Sequence, residues 1–70
     1  MYRAYDITIR KEDRTKVDAI LEQYDVDDIT YSEEKHSDGS VTITYWIRPY
    51  LSIDIDDIVN GLKQNGIQIF

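Results

Sequence analysis

Hydrophobic and polar residues alternate with a period of two along residues 2–10: Tyr5, Ile7 and Ile9 fall on one side, Ala4, Asp6 and Thr8 on the other. That spacing predicts a half-buried strand, because successive side chains of an extended chain point to opposite faces. The period then changes. Val17, Ile20, Leu21 and Tyr24 stand at i, i+3, i+4 and i+7, which predicts a helix over 13–24 with one apolar stripe, capped by Asp13 or Thr15. Strand character returns over 26–36, with Ile29 and Tyr31 on one face. Residues 41–48 set Val41, Ile43, Tyr45 and Ile47 against Thr42, Thr44, Trp46 and Arg48. Pro49 has no N–H for a ladder and ends that strand. Ile55, Ile58, Val59 and Leu62 predict a second helix over 54–65, capped by Asp54 and stopped by Gly66. Residues 67–70 predict a short final strand.

The connection at Ser37-Asp38-Gly39-Ser40 sets the register of the central hairpin. A two-residue loop, Asp38-Gly39, would face Ile43 with Glu34 and Tyr45 with Ser32, so the apolar faces would not meet. A three-residue loop, Ser37-Asp38-Gly39, faces Ile47 with Ile29 and Tyr45 with Tyr31. The buried face decides register, which selects the longer loop: a type I turn followed by a left-handed, bulged Gly39. The other face then pairs Trp46 with Thr30, Thr44 with Ser32 and Arg48 with Asp28.

The predicted order is βαββαβ. One apolar face on every strand and one apolar stripe on each helix are satisfied by two helices on one side of a four-stranded antiparallel sheet. Right-handed crossovers favour the ferredoxin-like strand order 4-1-3-2 in a single α+β domain spanning residues 1–70. That fold hosts enzymes, regulatory domains and nucleic-acid binders, so it selects no function.

Composition narrows the field. A chain of 70 residues buries only about 60% of its unfolded surface, which leaves a thin core. There is no Cys, so thiol catalysis, redox switching and disulfide staples are excluded. No apolar run approaches the length of a membrane span, and residues 1–6 lack an apolar signal core; the expected location is cytoplasmic. The net charge is −6, unevenly spread. Residues 1–16 hold five bases and three acids, whereas residues 17–70 hold three bases and eleven acids. A negative field repels phosphate backbones and attracts basic surfaces.

Several groups of residues are candidates for chemistry. Trp46 and Arg48 project from the middle of the helix-free sheet face, with Tyr2 and Phe70 on neighbouring strands. RNA-recognition domains of this topology stack bases on such a strand, but Ala4 and Asp6 stand where the first strand needs an aromatic. A protein-binding or self-association surface fits better, since Trp and Arg are favoured anchors. The competing reading buries Trp46 under the Pro49-Tyr50-Leu51 segment or a chain end. Two acidic segments follow: Asp25, Asp27 and Asp28 at a helix-to-strand junction, and Asp54, Asp56 and Asp57 at a helix start. Neither has the alternating ligands, Gly turn and distal Glu of a Ca²⁺ loop. Their places in the chain differ, so they are not a duplicated motif, and acids in a first helical turn complement the macrodipole. Arg10-Lys11-Glu12-Asp13-Arg14 precedes a helix N-terminus but lacks the glycine of a phosphate cradle, and reads as a solvated loop with local ion pairs. His36 stands alone beside the hairpin.

No catalytic, metal-binding or cofactor-binding constellation emerges, so the expectation is a protein that is not an enzyme. It acts by docking: a small acidic inhibitor or regulator of a basic, nucleic-acid-handling protein partner, with no direct contact to nucleic acid or membrane. The candidate docking residues are Asp25, Asp27, Asp28, Trp46, Arg48, Asp54, Asp56 and Asp57. In size, charge and want of a catalytic site the chain resembles phage-encoded inhibitors of host defence enzymes, anti-CRISPR proteins among them; the resemblance covers no motif. The alternative is a homo-oligomeric, ferredoxin-like regulatory or small-molecule-sensing domain, for which a homodimer is the simplest form. An acylphosphatase-type enzyme is disfavoured by the missing glycine-rich loop.

Overall fold

The computed structural model describes residues 4–24, 26–49 and 55–70, and of 26, 27 and 49 the backbone alone. Three strands form one antiparallel sheet: β1 (Tyr5–Arg10), β2 (Val26–Lys35) and β3 (Val41–Pro49), in the order β1-β3-β2. Helix α1 (Arg14–Leu21) joins β1 to β2, and α2 (Ile55–Gln64) follows β3. β3 is central, as the apolar alternation on both its flanks requires. The hairpin register is that of the three-residue loop: Ile29 opposes Ile47, Tyr31 opposes Tyr45 and Thr30 opposes Trp46. His36 N–H donates to the Ser40 carbonyl at 2.8 Å and Gly39 N–H to the His36 carbonyl at 3.1 Å, with Gly39 at φ +89°. The Asp38 carboxylate closes the turn by accepting from the Ser40 N–H and Oγ–H.

One face of the sheet meets both helices. Ile7 and Ile9 of β1, Ile43, Tyr45 and Ile47 of β3, Val17, Ile20 and Leu21 of α1, and Ile58 and Leu62 of α2 form one buried cluster. Removing this much branched aliphatic surface from water is the main force holding so small a fold. The end of α2 is shaped by Gly66 at φ +79°: Ile67 N–H reaches the Leu62 carbonyl and Gly66 N–H the Lys63 carbonyl. These two bonds make a Schellman cap, and Leu62 and Ile67, at its two ends, both belong to the buried cluster.

One expectation is met in part and two are corrected. Among the described residues the sheet has three strands, not four. Residues 67–70 keep the expected alternation, Ile67 buried and Ile69 half-buried, but attach to β1 by a single backbone bond, Phe70 N–H to the Thr8 carbonyl at 3.0 Å. One bond does not make a ladder. Asp13 does not cap α1 through its side chain, because a 3-10 turn over Lys11–Asp13 runs straight into the helix and leaves Asp13 helical itself. Helix α1 also ends at Leu21, so Tyr24 lies beyond it in a bend. The caps proposed at Asp54 and the strand residues before Ala4 lie outside the described residues.

Candidate docking surface

The alternation of β3 sends Trp46 to the helix-free face, between Asp6 of β1 and Thr30 of β2. It is 40% exposed; Tyr50 and Leu51, which the competing reading lays over it, lie outside the described residues. Arg48 lies on the same face opposite Asp28, as the register required, and both are exposed. Phe70 does not join Trp46. It packs beside Thr8, with the Arg10 guanidinium 5.9 Å from its ring centre. Hydroxyls stand beside them on this face: Thr8 and Thr44 share a 2.9 Å bond, and His36 Nε2 bonds Thr42 Oγ1 at 2.9 Å. His36 is thus a partner of the hairpin strands.

Of the acidic candidates, Asp28, Asp56 and Asp57 are exposed, the last two in the first turn of α2. Asp25 and Asp54, and the side chain of Asp27, lie outside the described residues. The structure nevertheless joins the bend after α1 to the first turn of α2. The Tyr24 hydroxyl, immediately before Asp25, donates to the Asp57 carbonyl oxygen at 3.3 Å. The ring crosses α2 at Gly61, where a Cβ would overlap the hydroxyl oxygen. The sequence reading missed this link. Its trace was the lone glycine inside an apolar helical stripe, a position that costs helix stability unless something packs there.

The helix side of the β2 edge carries a second feature that the sequence did not announce. Tyr31, on the inward face, is 53% exposed because no strand lies beyond it. Its ring is 6.1 Å from that of Tyr45, and the Arg14 guanidinium lies 4.2 Å above it. Arg14 also reaches Asp18 at 3.7 Å, and Asp18 accepts a 2.6 Å hydrogen bond from the buried Tyr45 hydroxyl. Burial first, and then this bond, push the Tyr45 phenol well above its ordinary range. Leu21, Tyr24, Ile29, Tyr31 and Tyr45, with Asp18, line an open groove between α1 and the β2 edge.

Farther along β2, Glu33 is bound to Lys11 at 2.6 Å, and this hydrogen-bonded ammonium holds the carboxyl below the usual range. The Ser40 hydroxyl and N–H do the same for Asp38. The basic segment is therefore engaged locally: Arg10 with Phe70, Lys11 with Glu33, Arg14 with Asp18 and Tyr31. Among the described residues no three His, Asp or Glu converge on a metal position, and no helix is long and apolar enough to cross a membrane. Comparison with protein-family models finds no match, and comparisons with curated proteins and with solved structures find none either.

Proposed function

We propose that this chain is a non-catalytic binding protein, an inhibitor or regulator that docks through its acidic surface on a basic, nucleic-acid-handling protein. The observation that carries the reading is the Tyr24–Asp57 bond, which ties the residue preceding Asp25 in the chain to the acidic first turn of α2. Acidic charges on a surface raise the local concentration of a basic partner and speed its encounter. Trp46, exposed beside Arg48, supplies an anchor of the kind that dominates interface energetics. In the same proposal residues 67–70 act as the fourth strand of a ferredoxin-like sheet, supported by the Phe70–Thr8 bond, and the chain works in the cytoplasm.

The test is capture of partners on the immobilised chain, after nuclease treatment, at low and high salt. A retained basic protein that is lost at high salt, and lost with Asp28→Asn, Asp56→Asn and Asp57→Asn combined, supports the reading. Salt-insensitive self-association as the only interaction overturns it.

A further inference from the structure

We propose that the open edge of β2 is a strand-addition site for an extended basic segment of a partner protein. The inference rests on the docking reading and adds its mode. Among the described residues β2 is an edge strand, paired with β3 alone. The His36–Ser40 bond fixes which groups turn inward. Antiparallel pairs alternate between bonded and non-bonded, so residues 34, 32, 30 and 28 turn their N–H and C=O groups to β3. Residues 29, 31, 33 and 35 turn theirs outward. Among the described residues nothing occupies that side. The result is a template about 20 Å long, offering main-chain donors and acceptors at the regular spacing of a missing neighbour.

Side chains along the edge specify the occupant. On the helix face, Ile29 and the half-open Tyr31 border the groove with Leu21 and Tyr45, so an added strand would cover apolar surface there. Arg14 sits over Tyr31 and repels a cation at that position, so the facing residues must be apolar. On the other face the exposed acids Asp28 and Glu34 call for a base at each end. A second copy of this chain meets like charges in two registers: two-fold pairing centred on Tyr31 sets Asp28 against Glu34 twice, and pairing centred on Glu33 sets that carboxylate against itself. A basic strand meets the acids Asp28 and Glu34 with opposite charge, which favours it as the occupant. Protection of the outward amides in the chain alone, growing with its concentration, would assign the edge to a second copy and overturn the proposal.

The probe is the peptide acetyl-Lys-Val-Thr-Val-Thr-Val-Lys-amide, which reads the same in both directions and so presupposes no polarity. Two controls accompany it: one with Glu for both Lys, and one N-methylated at alternate residues on the side facing β2. Binding is followed by amide resonances and hydrogen exchange of the intact chain. The expected result is binding of the basic peptide with slowing of the Ile29, Tyr31, Glu33 and Lys35 amides by at least about tenfold, while Thr30, Ser32 and Glu34 change little. The N-methylated and acidic peptides should bind at least about tenfold more weakly, as should the basic peptide to a chain carrying Asp28→Lys and Glu34→Lys. Binding of the basic peptide without protection of the outward amides overturns strand addition and leaves charge-driven docking standing. No binding of the basic peptide at low salt overturns strand addition and removes the affinity for basic segments on which the docking reading depends.

Discussion

The Tyr24 hydroxyl donates to the Asp57 carbonyl directly over Gly61, and the missing side chain at Gly61 is what admits the ring. Glycine inside a helix normally costs about 1 kcal/mol relative to alanine. Here that cost is offset by a contact joining the bend after α1 to the first turn of α2. Gly61→Ala should therefore destabilise the parent by about 1 kcal/mol, because the Tyr24 ring must move. In a Tyr24→Ala background the same change should stabilise by up to about 1 kcal/mol, since only the helix preference remains. Urea unfolding of the four proteins measures the reversal; a Gly61→Ala change that leaves stability untouched in both backgrounds removes the contact from the account.

Tyr45 and Asp18 give a pH-dependent prediction. The phenol is buried and donates to a carboxylate, so the folded state holds its proton more tightly than the unfolded chain, whose tyrosines titrate near 10. Above that pH the unfolded chain releases a proton that folded Tyr45 retains. Stability must then fall as pH rises from about 10, and the contribution is complete below it. Tyr45→Phe should lower stability by about 1 kcal/mol at neutral pH, a modest figure because Asp18 keeps contact with solvent. It should also flatten the alkaline decline. A variant whose stability declines as steeply as the parent's between pH 9 and 11, a range set by the ordinary phenol pKa, would assign the decline to other groups.

The hairpin was legible in the sequence because the three-residue loop puts Ile29 and Tyr31 on one face with Ile43, Tyr45 and Ile47, and the two-residue loop does not. The helical stripes were legible for the same reason: one periodicity, one buried side. What escaped the pattern was set by neighbours and not by spacing. Tyr31 alternates as a core residue yet stands half open, because its strand is an edge. Asp13 has the right chemistry for a cap, but the preceding turn is already helical. Residues 67–70 alternate like a strand but hold one bond to β1. The bend after α1 and the first turn of α2 looked unrelated by position in the chain, and it is the reach of Tyr24 over a glycine that joins them.

Gly39 tests the turn chemistry alone. Its φ of +89° disfavours any side chain, and nothing lies within 4 Å of where a Cβ would stand. Gly39→Val should cost about 1 kcal/mol or more through backbone strain, and Gly39→Asn distinctly less, since Asn tolerates the left-handed region. Equal losses for the two, measured by thermal unfolding, would point to a side-chain clash that the geometry does not contain.

Leu21 and Leu62 bring the two helices into the core, at 4% and 0% exposure. Each Leu→Ala change should cost about 2–5 kcal/mol, a large part of a small domain's stability. Leu62→Ala should cost more, because Leu62 is the more completely buried of the two. Chemical denaturation ranks the pair; the opposite order would show that the difference in burial does not set the cost.

The two parts of the docking surface should separate kinetically. Neutralising Asp25, Asp27 and Asp28, or Asp54, Asp56 and Asp57, to Asn removes charge from the docking surface. The partner's association rate should drop several-fold at low salt, and the difference should shrink as salt rises, because peripheral charges act mainly on encounter. Some helix stability, about 1 kcal/mol, should go with the second set through the loss of acids in the first turn of α2. Trp46→Ala should act on the other rate. Its ring stands 40% exposed in the middle of a sheet face, with no charge of its own to steer anything. An anchor lost there should weaken affinity by about 2 kcal/mol or more, nearly all in faster dissociation and with little salt dependence. Surface plasmon resonance across a salt series reads both rates at once. Acid variants that slow association while Trp46→Ala leaves dissociation untouched would confine the interface to the acidic residues and the β2 edge; a partner indifferent to every one of these changes would exclude both the acidic surface and the open sheet face.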